Sequence, residues 1–308
     1  MATSRAISAA ALSAALFLGP AAARAGHRHG HSEGPSVTTN GRDPVSCSDL
    51  TIEFDDQPAE TADATKTIPV VAGKPLRVEA AENSGVWVRG TDRADFQVLL
   101  CKGAERKSDL DAIRFSMEGG TLTVEGPDSG GWVGYMLIDS PRNAGVEVSA
   151  GNGPVSVNGM AGHVILRSEN GPIAIHRSSG DIDARAQNGP IAVQGDGGSL
   201  RLATQNGPIA VALSGSSWKG GGLDARAVNG PVSLAVPDGY KSGTLIETRG
   251  RSPFACHGDA CSTVRRTWDD EHKRLELGDG PVVVRLSTEN GPVSIRTGAS
   301  TLGDADED

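Results

Sequence analysis

Arginine returns to one column of an 18-residue repeat in this sequence, at Arg167, at Arg185 and, after a short insertion, at Arg226. A guanidinium meets a carboxylate through two parallel hydrogen bonds, so such a column could hold the acidic sugars of a glycan. The competing reading is a solvated ladder of surface ion pairs, each worth about 0–1 kcal/mol. Glu147, Ile165, Asp183, Arg201 and Asp224 fill a neighbouring outward column, and coils stacked about 4.8 Å apart would set Arg201 between Asp183 and Asp224. Asp181 and Asp183 invite comparison with the paired carboxylates of polysaccharide hydrolases, but the flanking arginines suffice to explain them. The sequence has no Gly-x-Ser-x-Gly elbow, no His-Glu-x-x-His and no phosphate-binding Gly-x-x-x-x-Gly-Lys. Gly195-x-Gly197 lacks the third glycine and the helix of a dinucleotide site. No catalytic residue, metal ligand or cofactor is therefore assigned, and the expectation is a protein that is not an enzyme.

The other reactive side chains are cysteines and histidines. Cys47, Cys101, Cys256 and Cys261 are even in number, and in an oxidising compartment they favour disulfides over zinc. Three pairings are possible. The closeness of Cys256 and Cys261, in a loop with Pro253 and Gly258, favours joining those two, which leaves Cys47 with Cys101. A zinc site would recruit His257 or His272. His27, His29 and His31 could bind a metal as a His-rich tract, against the blander reading of an unstructured leader that contains histidines.

The compartment follows from the N-terminus. A basic start with Arg5, an apolar run from Ala6 to Gly19 and the small-residue site Ala23-Arg24-Ala25 have the layout of a secretory signal. Its removal takes the formal charge from −9 to −11, which argues against a nucleic-acid partner. No later stretch approaches the roughly 20 apolar residues of a spanning helix, so no membrane span is expected in the mature chain. The expected divisions are a signal peptide at 1–25, a flexible His/Gly-containing leader at 26–46, an irregular N-terminal β region at 47–145, a repeat region at 146–298 and an acidic tail at 299–308. The location is periplasmic or extracellular, and the partner an envelope protein or glycan.

The elements that must position any site are set by the repeat. Asn152-Gly153-Pro154, Asn170-Gly171-Pro172, Asn188-Gly189-Pro190 and Asn206-Gly207-Pro208 recur at 18-residue intervals, followed by Asn229-Gly230-Pro231 and Asn290-Gly291-Pro292. After each proline, apolar residues alternate: Val155 and Val157, Ile173 and Ile175, Ile191 and Val193, Ile209 and Val211, Val232 and Leu234. A second glycine (Gly162, Gly180, Gly198) precedes another alternating pair, as in Val164 and Leu166. Each unit thus reads as two short strands with one buried face apiece. The Asn-Gly corner is read as a tight turn with φ > 0, and the asparagines as a stacked amide ladder. One unit has too little apolar surface to fold alone, so neighbours must stack. The expected fold is all-β, a single-stranded β-solenoid of ~18-residue two-strand coils. Its outward column Ser156, Ala174, Ala192, Ala210, Ser233 and Ser294 is uniformly small. That column is either covered by another segment of the chain, such as the N-terminal β region, or a flat docking face for a partner.

The pattern Asn-Gly-Pro-Ile-Ala-Val, followed by Gly-x-Ile-x-Ala-x-x-Gln-Asn-Gly, resembles the bacterial putative-adhesin family of toast-rack-like β-strand repeat proteins, a domain family of unknown function. The motif of that family is closer to Asn-Gly-Asp-Val-x-Val; proline here replaces the aspartate in every copy, which keeps the turn and removes a negative column. The resemblance spans roughly residues 75–297. It implies a cell-envelope or secreted β-repeat domain labelled with adhesion, and brings no catalytic residues with it.

Overall fold

The computed structural model describes residues 35–40, 43–128, 130–249, 252–262, 264–269 and 271–298. The signal sequence, His27, His29, His31 and the acidic tail lie outside them. The described chain is all-β, with three short 3-10 turns and no longer helix. No helix in it is long and apolar enough to cross a membrane.

Two large sheets share one core. Among the described residues one sheet has 11 strands and the other 12. The strand that follows each Asn-Gly-Pro lies in the first: Val155–Asn158, Ile173–His176, Ile191–Gly195, Ile209–Leu213, Val232–Val236 and Val293–Thr297 pair in parallel with their successors. The strand preceding each Asn-Gly-Pro lies in the second: Val146–Ala150, His163–Ser168, Asp181–Ala186, Gly197–Asn206, Lys219–Asn229 and Val282–Asn290 do the same. Successive coils therefore superimpose column on column. Val155, Val157, Ile173, Ile175, Ile191 and Val193 from one sheet meet Val164, Leu166, Ile182, Leu200 and Leu202 from the other, all essentially buried. At about 1.5–3 kcal/mol for each fully buried Val, Ile or Leu, these ladders supply the main stabilisation of the stack. The sheets are not parallel throughout. Antiparallel pairs appear toward the ends: Asp95–Ala104 pairs antiparallel with Trp132–Pro141 and with Glu60–Pro69 in the 11-stranded sheet, and His272–Leu277 with Gly243–Arg249 and Arg265–Trp268 in the 12-stranded one. They are mixed, multi-stranded sheets.

The glycines of the motif correct the expectation of a φ > 0 turn. None of Gly153, Gly171, Gly189, Gly207, Gly230 and Gly291 has positive φ. Each points instead along the stack at the preceding coil. A Cβ on Gly171 would lie under 3.0 Å from the Gly153 carbonyl oxygen, one on Gly189 would crowd that of Gly171, and the relation continues through Gly207, Gly230 and Gly291. Gly162 and Gly180 stand in the same relation at the opposite corner. Glycine is required by the close approach of coils, and the period records that contact.

The asparagine side chains run alongside. Nδ2–H of Asn170 donates to Oδ1 of Asn152 at 2.9 Å, Asn188 to Asn170 at 2.9 Å, and Asn206 to Asn188 at 3.0 Å. Asn229 and then Asn290 extend the row at 3.0 Å each. Its first member is Asn83, which accepts from Asn152 at 3.2 Å. The prolines lack an N–H, but their carbonyls join the ladder: the amides of Val155, Ile173 and Ile191 donate to Pro172, Pro190 and Pro208 at 2.9–3.0 Å. Replacing Asn188 with aspartate removes the donor to Asn170, sets carboxylate oxygens against an amide oxygen and keeps the acceptor for Asn206, whereas alanine removes both ladder bonds. Given about 1 kcal/mol per exposed hydrogen bond, Asn188→Asp should cost about 1–2 kcal/mol in urea unfolding and Asn188→Ala about 2 kcal/mol.

Three sequence boundaries are redrawn. Leu76–Glu79 pairs in parallel with Val146–Ala150, and Val86–Thr91 with Val155–Asn158. The first coil therefore lies within the span read as an irregular N-terminal region. Residues 95–141 are an excursion between the first coil and the second, and residues 243–277 another before the last, where Val232–Val236 pairs with Val293–Thr297. Part of the span read as a flexible leader is ordered: Pro35–Thr39 pairs antiparallel with Leu50–Phe54, which also carries Gln57–Pro58. Alternation of Val37, Ile52 and Phe54 toward a second apolar cluster accounts for it.

That small sheet lies on the outer face of the 11-stranded sheet. Leu50, Ile52 and Phe54 pack with Trp87, Val133, Tyr135 and Leu137. The Cys47–Cys101 disulfide joins the two layers. A capping arrangement presents Cys47: the Asp49 carboxylate accepts from the backbone N–H of Val45 and of Ser46, 2.9 Å each, and from the Ser46 hydroxyl. These hydrogen bonds, that from the Val45 backbone foremost, hold the Asp49 carboxyl below its ordinary value.

Candidate functional site

The outward columns fall into three settings. The small-residue column is covered only at its start, where Ser156 sits beside Trp87 and is 5% exposed. Ala174, Ala192, Ala210 and Ser233 are half-buried and Ser294 is exposed. The N-terminal sheet thus covers the head of this face and leaves the rest open.

The arginine column lies on the outer face of the 12-stranded sheet, and its members differ. Arg185 bonds Asp183 at 2.9 Å. Arg226 pairs with Glu289, which Arg249 also approaches at 4.0 Å. Arg167 has no carboxylate or other polar partner among the described residues. The register does place Arg201 between Asp183 and Asp224, yet its contact is with Asp181 at 3.8 Å, which His163 approaches at 3.3 Å. Both carboxylates of the Asp181/Asp183 pair are thereby engaged by cations.

Arg167 and Arg185 line an open groove of about 780 Å³ that runs along the stack at the Asn-Gly corner. Six successive coils contribute to it, from Glu79 to Val228. The first five supply the same three positions and the sixth only Val228. Ala150, Ser168, Ala186 and Thr204 form a buried, small-residue floor; the Ser168 and Thr204 hydroxyls donate to the carbonyls of Gly171 and Gly189 at 2.7 and 3.0 Å. One wall is the arginine column. The other carries Glu169, Gln187 and Gln205, one residue before each ladder asparagine. Sequence reasoning weighed the arginines but passed over this second wall; its signal was a polar residue immediately before Asn170, Asn188 and Asn206. Arg226 does not line the groove.

A smaller cavity of about 150 Å³ lies between Pro44–Val45 and the outer face near Trp87. Its charged lining, Arg89 and Asp139, is already paired at 2.8 Å. The second disulfide, Cys256–Cys261, closes a short loop beside the edge strand Phe254–His257. Zinc has no thiolates there, which removes the metal reading at His257 and His272. Among the described residues no group of three or more His, Cys, Asp or Glu is placed to hold a metal.

Fold and groove together define an all-β protein of stacked two-strand repeats with an open groove along one flank. It is similar to solved structures described as a putative cell adhesion protein from Clostridium sporogenes ATCC 15579 (8% identity, 77% of this chain and 100% of that one, TM-score 0.33), a putative adhesin from Bacteroides fragilis NCTC 9343 (12%, 77% and 97%, TM-score 0.30) and a putative adhesin from Parabacteroides merdae ATCC 43184 (10%, 76% and 95%, TM-score 0.31). No family model and no curated protein matches the sequence.

Proposed function

We propose that this chain is an exported, non-enzymatic β-solenoid of the cell envelope or the secreted fraction, which binds a partner and acts as an adhesin or scaffold. The observation that carries this reading is the in-register repetition of outward columns over successive coils. A rigid flank with one side-chain pattern every ~4.8 Å suits an elongated partner that contacts many coils weakly. Two disulfides support assembly in an oxidising compartment, periplasmic or extracellular. Outside the groove, Arg226 with Glu289 and Arg201 with Asp181 serve as surface ion pairs.

The test is retention of glycans and envelope proteins on an immobilised array, with product release followed in the same wells. Retention without turnover is the expected result. Release of cleaved product would contradict the non-enzymatic reading, and retention of nothing would contradict the binding role.

A further inference from the structure

The groove at the Asn-Gly corner has a more specific chemistry than the rest of the surface. Its lining spans five inter-coil intervals, about 24 Å at ~4.8 Å each, so its occupant is an extended chain lying parallel to the stack. The side chains of Arg167, Glu169, Gln187 and Gln205 make no hydrogen bond or ion pair within the described protein. They are planar groups with unused donors and acceptors, suited to hydroxyls along the edge of a polymer. The floor is shallow and small, with Ala150 and Ala186 turned into the core, so contacts to a ligand fall to the two walls.

The backbone decides between a glycan and a peptide. Each interior groove strand is paired in parallel on both sides. Pairing continues to the corner, where Glu169, Asn170, Gln187 and Asn188 donate to Ala150, Gly151, Ser168 and Glu169 at 2.7–3.1 Å. An added peptide strand would find few free main-chain groups, and strand addition depends on those. Side chains are the available contacts, which favours a polyhydroxylated ligand. Charge then narrows the class. Arg167 is the unneutralised cation of the column, whereas Glu79, Glu82 and Glu169 would repel a polymer charged at every unit.

We propose that the groove binds an extended polysaccharide with sparse uronate substituents, one carboxylate seated on Arg167 and the hydroxyls on Gln187, Gln205 and Glu169. This rests on the partner-binding reading above and adds the ligand class and the residues. The probes are glucuronoxylan (sparse uronate), unsubstituted xylan and polygalacturonate (charged at every unit), with titration calorimetry on the intact protein and on exposed-site variants of unchanged unfolding midpoint. Wild type should bind glucuronoxylan at least tenfold more tightly than either comparison polymer. Arg167→Ala should abolish that preference over xylan, Gln187→Ala/Gln205→Ala should weaken all xylan binding severalfold, and Arg226→Ala should bind within twofold of wild type. Failure to bind glucuronoxylan, equal binding by Arg167→Ala, or retention of extended peptides in its place overturns the proposal. Retention of another envelope partner untouched by Arg167→Ala would sink the groove assignment and leave the scaffold role standing. Product release from a bound glycan would sink the non-enzymatic reading and leave the groove.

Discussion

Gly189→Ala should lower the thermal midpoint by about 6–12 °C, on the scale of about 2–4 °C per kcal/mol for chains of this size. The added methyl would lie under 3.0 Å from the Gly171 carbonyl oxygen, and that oxygen belongs to a corner held on both sides by neighbouring coils. No flexible side-chain end can give way, so coils must separate locally and loosen the packing of Ile173, Ile175, Ile191 and Val193. Overpacking against a fixed neighbour costs about 3 kcal/mol at the upper end of its usual range. Gly195 is the control. It too has no positive φ, and a Cβ there meets nothing within 4 Å, so Gly195→Ala should stay within about 0.5 kcal/mol of wild type. Equal behaviour of the two variants in differential scanning calorimetry would show that the motif glycines are not stacking contacts.

The second large effect concerns the Cys47–Cys101 link. It closes a 54-residue separation, for which chain entropy gives about 4 kcal/mol, against about 2 kcal/mol for Cys256–Cys261 with its separation of 5. Cys47→Ser/Cys101→Ala should therefore destabilise the protein about twice as much as removing the other disulfide. The small sheet should also detach, because beyond the disulfide it is held mainly by Leu50, Ile52 and Phe54 against Trp87, Val133 and Tyr135. Tyr135 reports the event. Burial raises its hydroxyl pKa above the ordinary 10.0, and its ring lies 5.5 Å from that of Trp87. A raised folded pKa means that this contribution to stability is complete below about pH 10 and is lost as pH climbs toward the folded value. In the variant Tyr135 should titrate nearer 10 and Trp87 emission should shift to the red. A variant with unchanged tyrosine titration and fluorescence would mean the disulfide does not hold the sheet in place.

Much of the stack was legible because its contacts repeat in sequence. The pairs Val155/Val157 and Ile173/Ile175 announced the buried faces, and the asparagine period announced the ladder. The first coil was hidden for a physical reason. Asn83-Ser84-Gly85 keeps the ladder asparagine but lacks the proline, and its partner coil begins only at Val146, after a long excursion. The return at Asn290 is displaced in the same way, and only its intact Asn-Gly-Pro motif kept it visible. Pairing partners far apart in sequence leave no period to read. The groove was half legible. The arginine column stood out by charge, whereas its neutralisation at Arg185 and Arg226 depends on Asp183 and Glu289, and only the fold shows which guanidinium is left free. The role of glycine was misread because a close approach and a positive φ select the same residue.

The most direct test of the stacked-coil account is a distance between two positions far apart in sequence and close in the stack. Nitroxide-bearing residues placed at Ala174 and Ser294 occupy one outward column, separated by four coil intervals through Ala192, Ala210 and Ser233. Pulsed dipolar spectroscopy should find their backbones about 19 Å apart, four intervals of about 4.8 Å, in a single narrow distribution. A separation beyond about twice that, or a broad distribution, would contradict the in-register stack on which both the ladder and the groove depend.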